Sequence, residues 1–366
     1  MTVGFDSPLP PARTGVADYA AALLAALRDR GSVKVNPARA DVRLYHLGNN
    51  QLHRNIYRRA LARPGVVVLH DALLHHFFLG SLSEREYVEE FVFNYGEWRR
   101  DLALELWRRR ASSAVDRRYY AYPMLRRIAE SSQAVVVHNP AAARLVREHA
   151  LGACVIEIPH LFAPPAWPSM GEALRFRVKL GLSPRDFIFG VFGYLRESKR
   201  LMNVLAAFRK VHRSWPRSAL LVAGEFVSQD LARASDPLLR GPGVFRLGHL
   251  HEREFWLSAA SIDACVNLRH PAAGETSGIS LRMMGLGKAV MLTASEETSR
   301  FPDTACFRIE AGVAEKASLT EHSMLLLSSP QTSREIGQRG AEHIRLYHSL
   351  DRVADEYWQT LCAFAS

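Results

Sequence analysis

The stretch 269–293, RHPAAGETSGISLRMMGLGKAVMLT, constrains this chain more than any other. An apolar run, 264–268, precedes it and reads as a buried strand. A Gly/Glu/Thr/Ser loop comes next, then a short helical pattern with Ile279, Met283 and Leu286 on one face. Gly287 closes that helix as its C′ residue, and a second buried strand, 289–292, follows. Strand, small-residue loop and helix start together make an anion site. The backbone N–H groups of Glu275 to Gly278 lack partners inside the helix, and the helix dipole there favours negative charge. Glu275 sets a carboxylate among those donors, a pairing suited to gripping hydroxyls beside a phosphate.

The same strand, loop and helix order recurs along the chain. A first strand, 3–5, runs into a Pro-rich loop that ends at Gly15, and a helix follows with Val16, Tyr19, Leu23, Leu24 and Leu27 at helical spacing. Strand 42–47 leads to Gly48, Asn49 and Asn50, and strand 66–69 leads to His70 and Asp71. Ligands of open α/β sheets bind beyond the carboxyl ends of strands, so these polar tips are candidate site residues. Strand 133–139 ends in His138 and Asn139, and 155–158 is the last strand before a Pro-rich linker at 163–171. Beyond the linker, an apolar strand from Phe187 ends at Gly193, with Arg196, Lys199 and Arg200 close behind. Cations at a strand end beside a helix start fit a diphosphate, Lys as a point charge and Arg as a fork. Strand 244–247 then ends at Gly248, His249 and Leu250, and helical patterns fill 313–347 and 353–364.

At 366 residues the chain has room for two domains, each with its own core. The expected division is 1–165, then 166–349, with 350–366 crossing back onto the first domain. Four scattered cysteines have no metal-ligand spacing, no apolar run approaches the ~20 residues of a membrane span, and no signal peptide opens the chain. A cytoplasmic protein is expected. The net charge of +10 favours anionic partners without choosing among them. The basic, aromatic segment 84–127, expected to be helical, suits a solvated face, an anionic membrane surface or stacked bases. No recognition fold accompanies the charge, so nucleic acid is not the expected partner. His70, His75 and His76 do not suggest a metal, because adjacent histidines diverge on a helix and no Cys or Glu stands at matching spacing.

Taken in order, these motifs resemble the retaining GT-B glycosyltransferases, family 4 in particular. Gly-Glu-Thr-Ser-Gly at 274–278 and Gly-Lys-Ala-Val at 287–290 match the donor-binding signature in kind. The second signature Glu is absent, its place falling on Arg282 counted back from Gly287 and on Arg282 or Met283 counted on from Glu275, and the family's diphosphate-binding Arg is replaced by Tyr194 while Lys199 matches its Lys. The resemblance implies an α/β chain of two facing Rossmann-like domains with parallel sheets and a deep interdomain cleft. It implies transfer of a sugar from a nucleotide diphosphate sugar, UDP- or GDP-linked, to a saccharide or lipid-linked saccharide hydroxyl. Configuration would be retained, with no metal and no other cofactor. His70, Lys199 and Glu275 would be catalytic. Gly15, Arg196, Arg200, Thr276, Ser277 and Gly278 would hold the diphosphate and sugar; Gly193, His249, Leu250 and Arg282 the nucleotide. Asn49, Asp71, His138 and Asn139 would face the acceptor. A sugar-nucleotide epimerase of the same fold and a silent nucleotide-sugar binder remain open.

Overall fold

The computed structural model describes residues 1–12 and 14–365. Two six-stranded sheets carry the chain, and every strand pair is parallel. The first contains β1 (Thr2–Asp6), β2 (Ser32–Val35), β3 (Val42–Leu47), β4 (Val66–Leu69), β5 (Ala134–Val137) and β6 (Val155–Glu157). Their order is β2-β1-β3-β4-β5-β6. The second contains β7 (Phe187–Phe192), β8 (Ser218–Ala223), β9 (Val244–Leu247), β10 (Ala264–Asn267), β11 (Ala289–Thr293) and β12 (Phe307–Ile309). Their order is β12-β11-β10-β7-β8-β9.

Both orders are doubly wound. The chain starts mid-sheet, winds one way, then reverses, which leaves a crevice at the reversal beyond the strands' carboxyl ends. The reversal lies between β1 and β3 in the first sheet and between β7 and β10 in the second. Helices cover both faces, and the central strands accordingly read as unbroken apolar runs. In β4, Val66 and Val68 join one buried cluster while Val67 and Leu69 join another, as alternation across a sheet requires.

The chain folds into two compact units, one of residues 1–163, 271–276 and 347–366, the other of 164–270 and 277–346. Helix Leu350–Ala363 packs in the first unit against helix Gly15–Arg28. Tyr19 and Tyr357 hydroxyls meet at 2.9 Å, and Arg30 pairs with Asp355 at 2.8 Å.

The segment expected to be helical from 84 to 127 is broken. Ser83 starts helix Glu84–Tyr95 with a capping box, and Gly96, at φ 91°, ends it. Helices Arg100–Arg108 and Arg126–Ser131 follow, with 3-10 turns between. Helices Arg54–Ala62, Pro140–His149, Met170–Lys179 and Gln229–Leu239 lie where the sequence reading places none. Among the described residues, no helix is long and apolar enough to cross a membrane.

Candidate active site

The carboxyl edge of the first sheet is lined by histidines. His46 lies on β3, and His70, His138 and His160 follow the ends of β4, β5 and β6. Tyr19, one turn into the first helix, meets the four rings at centroid distances of 5.9, 4.8, 5.3 and 4.7 Å. His46 Nδ1 stands 3.0 Å from His70 Nε2, and His138 Nδ1 stands 2.9 Å from the Ile158 carbonyl. Burial, reinforced by the neighbouring imidazoles, holds His70 well below the usual histidine range and His46 at about 3. Burial lowers His138 to about 4 against the opposing pull of its carbonyl hydrogen bond. At neutral pH these three imidazoles are uncharged.

The loop carrying Glu275 belongs to the same unit. Asn139 caps helix Pro140–His149 through its side-chain oxygen, which accepts from Ala142 N at 2.9 Å. Its amide nitrogen donates to the Gly274 carbonyl and to Thr276 Oγ1, both at 3.0 Å. Thr276 donates in turn to the His138 carbonyl at 3.3 Å. Gly274 has φ +68°, and a Cβ there would stand 2.6 Å from that of Ala72, two residues past His70. Only glycine permits both the backbone twist and the approach. Glu275 accepts from Ala273 N at 2.8 Å. Thus His70, His138, Asn139, Glu275 and Thr276 come together.

Asn49 and Asp71 are engaged differently. Asn49 Oδ1 accepts from Phe77 N at 2.7 Å, in the first turn of helix His75–Ser81, and Asp71 accepts from Asn49 N at 2.8 Å. Both brace the loops beside the edge. Gly15 opens helix Gly15–Arg28 behind the Thr14 cap, and a Cβ there would meet nothing within 4 Å.

The second sheet's edge is cationic. Lys199 is 6% exposed, and its ammonium donates to Phe192 O, at the end of β7, at 2.6 Å and to Asn267 Oδ1, at the end of β10, at 3.3 Å. It therefore spans the reversal point of that sheet. Asn267 Nδ2 donates to Ser277 Oγ at 2.7 Å, and Ser277 caps helix Gly278–Gly285. Gly193, at φ +87°, borders both Lys199 and Ile279 of that helix. Lys199, Gly193, Ser277 and Gly278 are thus gathered at one helix start.

Other expected residues are committed elsewhere or stand out in solvent. Arg200 pairs with the buried Glu315 carboxylate at 3.0 Å. Arg196 and His249 are exposed, and Leu250 is half-buried. The Arg282 guanidinium sits over Phe255 and Trp256, 5.4 and 5.6 Å from the ring centroids. Of the arginines in 84–127, Arg85, Arg100, Arg109, Arg118, Arg126 and Arg127 all pair with carboxylates, which reduces the charge this segment offers a membrane. Sequence reasoning passes over His46, Tyr19 and Asn267. A polar residue ending the buried run Ala-Cys-Val-Asn is the available signal for Asn267; His46 lies inside a strand and has none.

Solved structures share this fold. A sucrose-phosphate synthase from Thermosynechococcus elongatus superposes with a TM-score of 0.70 at 14% identity, covering 98% of each chain. Anabaena HepE, in complex with UDP and glucose, gives 0.70 at 14% identity, covering 99% of this chain and 100% of its own. The fold is GT-B. WaaG, a glycosyltransferase of lipopolysaccharide biosynthesis, is a third GT-B neighbour at 0.61 and 12% identity, covering 97% of this chain and 99% of that one. No protein-family model matches the chain, and no curated protein does.

Proposed function

We propose that this protein is a retaining glycosyltransferase of the family-4 kind. It moves a sugar from a UDP- or GDP-linked donor to a hydroxyl of a saccharide or lipid-linked saccharide, without metal or other cofactor. The observation that carries the reading is Lys199. A buried ammonium across the reversal point of a doubly wound sheet, tied through Asn267 to the cap of a helix start, is suited to a leaving diphosphate. HepE, solved with UDP and with UDP-glucose, supports a UDP-sugar as the first donor to try.

In this reading the second edge supplies the positive charge that a metal would otherwise bring. The sugar–phosphate bond breaks, and the developing charge on the leaving oxygen meets the Lys199 ammonium and the N–H groups of Gly278 and its neighbours. The acceptor hydroxyl bonds to the sugar carbon on the face the phosphate leaves, and its proton passes to the departing phosphate oxygen. Glu275 accepts hydrogen bonds from sugar hydroxyls, and His70 lies beside the reacting carbon.

Thermal shift against UDP-, GDP- and ADP-sugars tests the reading, since a ligand at 100 Kd stabilises by about 2.7 kcal/mol. One of them should raise the Tm of the wild type and fail to do so for Lys199→Ala. A Tm indifferent to every nucleotide sugar removes the assignment. One observation favours a second reading, a binder without turnover: no carboxylate stands at the place of the signature's second Glu, which falls on Arg282, packed over aromatic rings, or on Met283. Binding with no donor consumed under any acceptor would select it.

A further inference from the structure

The histidines of the first edge carry information beyond their position, because their partners fix where their protons sit. His46 and His70 have ring centroids 5.3 Å apart and planes 22° from parallel, with the facing nitrogens at 3.0 Å. The rings therefore lie edge to edge near one plane, and the N–H of one points at the lone pair of the other. His46 is fully buried, while His70 keeps 8% of its surface exposed.

Two proton arrangements satisfy one N–H···N bond between neutral rings. In the first, His46 Nδ1–H donates to His70 Nε2, and His46 Nε2 is left as a bare lone pair. In the second, His70 Nε2–H donates to His46 Nδ1, and the proton of His46 sits on Nε2. That atom is buried and has no hydrogen-bond partner. An N–H sealed from water without an acceptor is the worse outcome of the two. His53 and His138 set the same pattern independently. Their Nδ1 atoms stand 3.0 and 2.9 Å from the His46 and Ile158 carbonyls, which can only accept. Their protons are thus on Nδ1, and each leaves a buried Nε2 without a partner.

We propose that His46 is a positioning residue that holds His70 with its proton on Nδ1, so that His70 meets its ligand as an N–H donor and not as a base. His70 Nδ1 is not among the buried unpaired atoms of the described residues, so it is the ring nitrogen that reaches the surface. The ligand group this selects is an oxygen acceptor such as a hydroxyl or ring oxygen. Burial of both rings agrees, since neither takes up a second proton at neutral pH. The inference deepens the role given to His70 under the proposed function and rests on it for the ligand, but the proton position does not depend on any activity.

Long-range 15N–1H correlation of histidine-labelled full-length protein at pH 7 tests it, with His70 assigned by difference from His70→Gln. The wild type should show His70 protonated on Nδ1. His46→Asn, whose amide nitrogen takes the place of Nδ1, should preserve that signature and the hydrogen-bonded Nε2 resonance, and His46→Phe should shift the Nε2 resonance to that of an unbonded lone pair. With a donor and acceptor in hand, His46→Phe, which frees the His70 ring to turn its N–H away, should lower kcat by up to about a hundredfold, the scale for losing one donor, with KM little changed. His46→Asn should recover most of that loss. A wild-type His70 protonated on Nε2, or an Nε2 resonance unmoved by His46→Phe, overturns the proposal. Should His46→Phe not fold, the wild-type spectrum alone still decides. A correct spectrum in a protein that binds no nucleotide sugar would break the functional reading and leave the proton assignment standing.

Discussion

The two sheet edges are built from the same topology and opposite chemistry. The edge of the first sheet gathers imidazoles around Tyr19, and burial holds His46, His70 and His138 neutral. That of the second holds an ammonium and a helix start across the reversal of the strands. A doubly wound sheet offers a crevice; the residues at its strand ends set the charge it presents. The contrast teaches that the fold supplies the place and only a few residues supply the function.

The largest expected effect is at the cationic edge. Lys199→Ala should cut donor consumption by about a hundredfold or more while far-UV circular dichroism stays native. Unchanged turnover would erase the distinction between the two edges. The neutral edge should reveal itself in acid. Below pH 6.5 an unfolded chain takes up protons that the buried histidines refuse, so stability is fully present above 6.5 and is lost as pH falls toward about 4 and about 3. Each such proton contributes a slope of up to about 1.4 kcal/mol per pH unit. Urea midpoints measured from pH 7.5 to 4.5 should fall, and His53→Asn should flatten the curve; a variant with the wild-type slope would show that His53 is not one of these groups.

Much of this contrast is legible in the sequence. β4 and β5 announce themselves as Val-rich runs because central parallel strands are buried on both faces. β2 does not: only Val33 of its four residues is buried, and it pairs with β1 alone. Helix Pro140–His149 carries a readable start in Asn139-Pro140, but at a strand end Asn139 reads as a site residue, and it is both cap and tether. Helix Gln229–Leu239 hides behind Pro237 near its end. At the sites, Lys199 and Glu275 stand out through local motifs. The partners of His70 and Arg200 do not, since His46 and Glu315 are distant in sequence and nothing local marks the pairing.

Smaller effects sharpen the comparison further. Gly274→Ala must tolerate both φ +68° and the Ala72 contact, whereas Gly287→Ala faces φ +71° with its nearest atom at 3.9 Å. Gly274→Ala should cost about 2–3 kcal/mol and Gly287→Ala about 1, by urea unfolding. Equal losses would mean that the approach to Ala72 yields easily. Asn139→Ala should cost about 1 kcal/mol through the lost cap, and a loss below the scatter of the measurement would reassign the cap to water.

Arg200 carries a side chain on a left-handed backbone, φ 58°, directly after Lys199, and the buried Glu315 grips its guanidinium while also accepting from Asn203. A posture that disfavours every residue but glycine is thereby latched from a distant helix. The ammonium one residue upstream is thereby set by the fold itself, between the Phe192 carbonyl and Asn267, instead of being left to a swinging chain.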